Sequence, residues 1–323
     1  MSISPRLRGV VRLAAGVLTV VLIAFLIRAV SRDGPAAVAA WHAAHVRWSW
    51  IVLATACGLG GHAVYVLGWR RLLIDIGIRA SFWRLARLFL VSNLGRYLPG
   101  GKAWQMALVG MMAAEQQLPP AAVAASSLLQ GVVGVAVGAV VFVATGGALI
   151  GLSAAWLVLP FAGVVGLLLT PAIVRALPHL RAVIGRWVPD IDSLTAATMW
   201  ALVWTAATSW FAWGVALYAL ASGLLPSPVS SLSAYTAAWA GSFLAGVLAV
   251  VSPAGLGARE GVMQAVLVQA GVTSGDVLVL VAVARAWVTV LDIVPAAIVL
   301  VLRRRSHRTA DVSSQPATID GAS

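Results

Sequence analysis

VVSPAGLGAREGVMQ, residues Val250 to Gln264, sets an arginine and a glutamate, Arg259 and Glu260, directly after a proline and two glycines in a strongly apolar region. A second stretch, SNLGRYLPGGKAWQ at residues 92–105, repeats the theme: Arg96 and Lys102 flank Pro99, Gly100 and Gly101 between apolar runs. Proline removes a backbone donor and breaks a helical ladder, and glycine lets the chain turn sharply. Both stretches are therefore read as breaks in helices that carry charge where charge is costly.

The setting of those breaks follows from composition. Of 323 residues, 61% are hydrophobic and only 10% charged, and the mean hydropathy is +0.96, far from the balance of a soluble domain. Charge-free runs recur at about the 20 residues a helix needs to cross hydrocarbon, at 13–27 with its flanks, 49–69, 121–148, 152–174, 194–221 and 277–302. The expected architecture is an all-α polytopic membrane domain over residues 1–308, followed by a disordered cytoplasmic tail at 309–323. The run at 13–27 follows the basic start SPRLRGVVR, and its length together with Arg28 and Arg32 favours an uncleaved first span over a signal peptide.

The two odd stretches do not fit as ordinary spans. Eight residues separate Arg87 from Arg96 and twelve separate Lys102 from Glu115, about 12 Å and about 18 Å of helix against a core about 30 Å thick. The expectation is about six full transmembrane helices plus two re-entrant hairpins, at about 84–116 and 231–271. Entering from opposite faces, the hairpins are reminiscent of inverted repeats that put broken helices at the midplane. In the second hairpin, residues 232–251 are long enough to span alone. That alternative would deliver Arg303, Arg304 and Arg305 to the outside, against the positive-inside rule.

The net charge of +12 reports orientation rather than nucleic acid, because Lys and Arg collect on cytoplasmic loops. Arg70, Arg71, Arg79, Arg84 and Arg87 fall in one such loop, Arg175, Arg181 and Arg186 in another, and Arg303 to Arg305 and Arg308 in the tail. The opposite loops hold only Arg28, Arg32 and Arg47, so both termini are expected to be cytoplasmic in a cell membrane. Trp41, Trp48 and Trp50 suit one aromatic belt, and Trp69 and Trp83 the other.

A break inside the membrane leaves backbone groups that must be buried in protein or face a wet cavity. The helix restarting after each break offers amides and a positive dipole end to an anion, and each break supplies a cation. The candidate binding residues are Asn93, Arg96, Pro99, Gly100, Gly101, Lys102 and Gln105 around the first break, and Pro253, Gly255, Gly257, Arg259 and Glu260 around the second. Arg285 and Asp292 join them from a polar stripe, with Thr289, on the last span. Arg96, Lys102, Arg259 and Arg285 face only Glu260 and Asp292, an excess that a phosphate would balance. The bland alternatives stay open: Arg259 with Glu260 and Arg285 with Asp292 as internal ion pairs, and Lys102 snorkelling from a shallow hairpin.

Other features point to packing. His62 could relay a proton, yet a lone helical histidine is more often a packed one. Gly134 and Gly138 form a GxxxG that permits close contact within or between chains, leaving self-association open. Cys57, the single cysteine, packs in an apolar helix. Trp200, Trp204, Trp210 and Trp213 suit lipid contact better than a ligand cage. No HExxH, Ser/His/Asp grouping or GxGxxG is present, so no metal, cofactor or enzymatic activity is expected.

At its two breaks the chain resembles flippase-like integral membrane proteins related to the membrane domain of lysylphosphatidylglycerol synthase. NLGRYLPGGKAWQ and SPAGLGAREG carry the likeness, which extends over nearly the whole chain. The resemblance implies that Pro99, Gly100, Gly101, Lys102, Pro253, Gly255, Gly257, Arg259 and Glu260 are family motif positions. It also implies handling of anionic lipid headgroups, in some members by moving aminoacylated phospholipid between leaflets. Two departures stand out: no aminoacyl-transferase domain follows Arg308, and where many relatives have an acidic residue after the first break this chain has Ser126, Ser127 and Gln130.

The leading expectation is a lipid translocase for anionic phospholipid or polyprenyl phosphate. The alternatives are a non-transporting subunit that presents lipid to a separate glycosyl- or aminoacyl-transferase, and a small organic anion transporter.

Overall fold

In the computed structural model the described residues are 46–98, 101–177, 193–229, 231–249 and 255–313, with isolated positions before 46 and at 179; side chains at 102, 154 and 302–313 are not described. The expected first span at 13–27 and the tail after 313 lie outside them, as do Pro99, Gly100 and Pro253. Among the described residues all regular structure is helical. The α-helices are α1 (Trp48–Asp75), α2 (Phe82–Asn93), α3 (Gly101–Glu115), α4 (Pro120–Gly146), α5 (Val158–Leu168), α6 (Thr170–Ala176), α7 (Ala196–Leu224), α8 (Leu232–Leu248), α9 (Ala258–Gln269) and α10 (Ser274–Ser313). A 3-10 turn at Leu94–Tyr97 follows α2.

Helix starts follow side-chain chemistry. Ser81, Thr195 and Ser231 accept from the third residue's N–H at 3.3, 3.1 and 3.3 Å, capping α2, α7 and α8. Pro120 begins α4, where the missing N–H costs nothing.

Four helices are long and apolar enough to cross a membrane: α1, α4 with its extension to Ile150, α7, and α10 as far as Val301. The span expected at 152–174 is instead a pair of helices bent by 56°. Pro171, at the start of α6, cannot donate into the preceding ladder, so the helix restarts there. The chain is a multi-pass membrane protein with four candidate spans among the described residues, or five if the bent pair counts as one.

The core centres on α7, which packs on α1, α4 and α8. Small residues let these helices approach, as expected where lipid supplies no hydrophobic drive between them. A Cβ on Gly138 of α4 would lie 2.6 Å from the Trp210 ring, and the Trp210 indole donates to the Gly134 carbonyl at 2.9 Å. The GxxxG thus packs within the chain. A Cβ on Gly214 would meet Thr236 of α8 at 2.2 Å from its hydroxyl and 2.9 Å from its Cα. Gly214→Ala should therefore push α7 and α8 apart at about 1–3 kcal/mol, the usual cost of overpacking, read as a lower unfolding midpoint in an SDS titration of the micelle-solubilised protein.

Several aromatic assignments need correction. Trp69 belongs to no interfacial belt: it is buried at 1% and its indole donates to Ser126 at 2.9 Å. Of the four tryptophans on α7, Trp200 and Trp204 are exposed, whereas Trp210 and Trp213 are core. A helix carrying tryptophans on several faces buries whichever face its neighbours cover.

Hydrogen bonds locate the two ends of the bundle. At one end Arg70 donates to the Ala80 carbonyl at 3.2 Å, Arg175 to that of Leu194 at 2.7 Å, Thr198 to the Asp75 carboxylate, and Arg84 to the Gln116 carbonyl. The Arg84 bond puts the start of α2 level with the chain just after α3. At the opposite end the Arg47 N–H donates to Gly223 at 2.9 Å, and Tyr235 at the start of α8 packs edge-on against Tyr218. The pairs α2/α3 and α8/α9 therefore start from opposite ends. With 12, 15, 17 and 12 residues, their members are about 18, 22, 25 and 18 Å long.

Candidate functional site

Both breaks converge on the same stretch of α10. In the turn after α2, Arg96 forms an ion pair with Asp292 of α10, and the Tyr97 hydroxyl donates to the same carboxylate oxygen. Arg285, two turns earlier on α10, pairs with Glu260 of α9 at 3.6 Å. The internal pairs weighed from spacing, Arg259 with Glu260 and Arg285 with Asp292, are replaced by pairs between elements. Adjacent helical residues point apart, and a separation of seven residues is about 10 Å along the axis, so neither spacing closes an ion pair. Thr289 adds nothing to a polar stripe, since its hydroxyl bonds back to the Arg285 carbonyl at 2.9 Å.

Arg259 is held differently. Its guanidinium lies 5.5 Å from the centre of the Trp239 ring and 5.6 Å from that of Phe243, both on α8, within the range of cation–π attraction. The stem passes a gap left by glycines: a Cβ on Gly246 would lie 2.6 Å from Arg259 Cγ, and one on Gly255 would lie 2.5 Å from the Gly246 backbone. Gly255 also has φ +69° and Gly257 φ +85°, left-handed backbone that glycine takes without strain. The glycines of the second break thus let α8, the break and the arginine stem share one narrow space.

Among the described residues, Arg259 is the one of these three guanidinium groups with no carboxylate in ion-pair range. The charges of Arg96, Arg285 and Glu260 nevertheless reach it, so the two breaks bring three cations and a carboxylate together. Arg259, Glu260 and Arg285 line a small, open pocket walled by Trp239, Met263 and Val288.

The helix start after the second break is partly occupied by its own chain. Glu260 accepts from the Gly257 N–H at 2.6 Å with one oxygen and faces Arg285 with the other, closing the first turn of α9 as a capping carboxylate does. One of the amides that the expected anion site would use at this helix start is therefore taken by Glu260. At the first break the Gly101 N–H bonds to the Leu98 carbonyl at 2.9 Å. Asn93 accepts from Gln105 at 2.8 Å and so ties α2 to α3 rather than lining the pocket. Gly95 sits where a Cβ would meet the Gln105 backbone at 2.7 Å.

Sequence spacing missed the aromatic wall. Trp239 stacks on Trp213 of α7 with ring centres 4.5 Å apart and planes 4° from parallel, and Trp287 of α10 meets Trp213 edge-on at 5.8 Å. Trp213 reaches His62 of α1 at 5.0 Å. Ser126 and Gln130, at the expected acidic position, are packing residues: both are buried and bonded to α1, Gln130 donating to the Tyr65 carbonyl at 2.6 Å.

No curated protein sequence matches the chain. Residues 12–296, which include both breaks and the paired side chains of α9 and α10, match the lysylphosphatidylglycerol synthase TM region, and the chain belongs to that family of membrane domains linked to lipid handling.

Proposed function

We propose that the chain is a lipid translocase that takes the phosphate of an anionic phospholipid, or of a polyprenyl phosphate, at the cations gathered between the two broken helices. The observation that carries this reading is Arg259, a guanidinium seated on two aromatic rings beside a pocket and without a carboxylate of its own among the described residues. With Arg96 and Arg285 each engaged by a carboxylate, Arg259 is left as the cation that attracts a phosphate.

In this reading α2/α3 and α8/α9 are re-entrant hairpins. Their helices are short against hydrocarbon about 30 Å thick, and they start from opposite ends of the bundle. Their breaks leave irregular backbone that protein and a polar cavity must satisfy. The end rich in arginine faces the cytoplasm, which puts both termini there. Moving the headgroup past the site requires alternating exposure by the hairpins, as in transporters built from opposed broken helices, and no bond in the lipid is made or broken.

The test is lipid movement in proteoliposomes containing labelled phosphatidylglycerol, or a labelled polyprenyl phosphate, in neutral phosphatidylcholine. The expected result is leaflet exchange of the anionic lipid well above that of phosphatidylcholine. Tight binding without exchange would sink translocation and favour presentation of the lipid to a separate transferase. Uptake of a soluble organic anion without lipid exchange would favour an anion transporter instead.

A further inference from the structure

We propose that Asp292 is a proton-binding site coupled to the anion site through Arg96: when an anionic headgroup draws Arg96 away, the Asp292 carboxylate takes up one proton. The coupling rests on the reading of Arg259 and its neighbours as an anion site.

The geometry is lopsided in a way that packing does not explain. The Asp292 side chain is fully shielded, with no exposed surface. Arg96 and Tyr97 both donate to the same oxygen, Oδ2, while Oδ1 is buried with no hydrogen-bond partner. The Nε of Arg96 is likewise buried without one. Fully satisfied buried networks are the rule, and a carboxylate with one oxygen bare is placed to accept a proton there.

Arg96 is the connecting element. Its side chain retains 20% exposure, and its charge reaches Arg259, so a phosphate held by Arg259 competes with Asp292 for it. Titratable groups lie around the Arg96–Asp292 pair on three elements. From α1 comes His62, whose buried Nδ1 has no partner and whose ring is reached by the charges of both Asp292 and Arg96, with Tyr65 a turn further on. From α9 come Arg259 and Glu260, and from α10 itself Arg285, paired with Glu260. Phe89 of α2 and Trp213 of α7, which flank His62, do not titrate.

The step balances simply. A buffer acid or hydronium ion gives up a proton, its bond to that proton breaking as the bond to Oδ1 forms, and the ion pair to Arg96 opens. The protein gains one positive charge, which the headgroup's negative charge cancels. A buried carboxylate stripped of its cation takes a proton rather than remain charged in hydrocarbon. Lipid and proton are thus bound as a neutral pair, and by reciprocity a proton gradient biases lipid binding.

The experiment uses the full chain in phosphatidylcholine nanodiscs, titrated with dihexanoyl phosphatidylglycerol by calorimetry in buffers of differing ionisation enthalpy. The expected result is uptake of about one proton per lipid bound. Asp292→Asn should take up none and bind about tenfold more tightly, since Arg96 is no longer held by a charge. Infrared difference spectra of the natural chain should gain a protonated-carboxyl band on lipid addition, a readout that needs no variant. Binding without proton uptake, or without that band, overturns the coupling. Uptake that survives in Asp292→Asn and disappears in His62→Phe moves the proton to the histidine and overturns the Asp292 assignment. A calorimetrically silent titration of the natural chain overturns the anion-site reading itself, and the coupling with it.

Discussion

Arg259→Ala should abolish exchange of anionic lipid in proteoliposomes and weaken binding of dihexanoyl phosphatidylglycerol roughly a hundredfold or more, the scale of losing one partner of a desolvated charge pair. The folded protein should survive. Glu260 keeps both its partners, Arg285 and the Gly257 N–H, so the substitution strands no buried carboxylate. What is lost on folding is the contact with Trp239 and Phe243, about 1–2 kcal/mol for two cation–π contacts. Arg259→Lys separates charge from shape. An ammonium keeps the positive charge but lacks the planar fork that stacks on rings and grips phosphate with two donors. An intermediate loss of about tenfold is expected from it, within the span of a single charge-assisted hydrogen bond. If Arg259→Ala exchanges lipid at the natural rate while remaining folded, the headgroup crosses elsewhere and the aromatic seat is merely structural.

The sequence announced where helices break but not what the breaks hold. Pro99 with two glycines, and Pro253 with Gly255 and Gly257, are local signals, because proline and glycine act on their own backbone. Helices flank both positions as expected. The pairing of charges was illegible for the opposite reason. Arg96 and Asp292 are 196 residues apart, and spacing ranks only neighbours on one helix, so it offered the pairs within α9 and within α10 that three-dimensional packing rejects. Asn93 and Gln105 looked like ligand groups and prove to join the two arms. Burial of Trp69 and Trp210 depends on which helix lies alongside, and the bend before Pro171 turned one expected span into two helices. Composition had fixed the membrane class long before any of this, since no arrangement hides so much apolar surface in a soluble chain of this size.

Arg96→Ala should be the most destabilising single substitution in the cluster. Asp292 has no exposed side-chain surface and draws its charge compensation from Arg96, with the Tyr97 hydroxyl as its other donor. Removing one member of a buried pair typically costs about 3–5 kcal/mol, because the partner left behind must either stay charged without compensation or be neutralised by a proton. The effect has a particular place to appear, because the pair joins the turn after α2 to the last span. Losing it loosens the first broken helix from α10 before the rest of the bundle responds, so limited proteolysis near residue 98 should rise ahead of global unfolding. Tyr97→Phe removes a single neutral donor and should cost only about 1 kcal/mol. The decisive comparison is the double variant Arg96→Ala/Asp292→Ala. With both charges gone there is nothing left to compensate, and replacing both members of a buried pair is often close to neutral. The double variant should therefore recover at least half of the loss seen with Arg96→Ala alone, measured as unfolding midpoints in SDS titrations of the micelle-solubilised protein. Strict additivity of the two single losses would mean that Arg96 and Asp292 contribute independently, and the buried pair would then be no bridge between the first break and the site on α10.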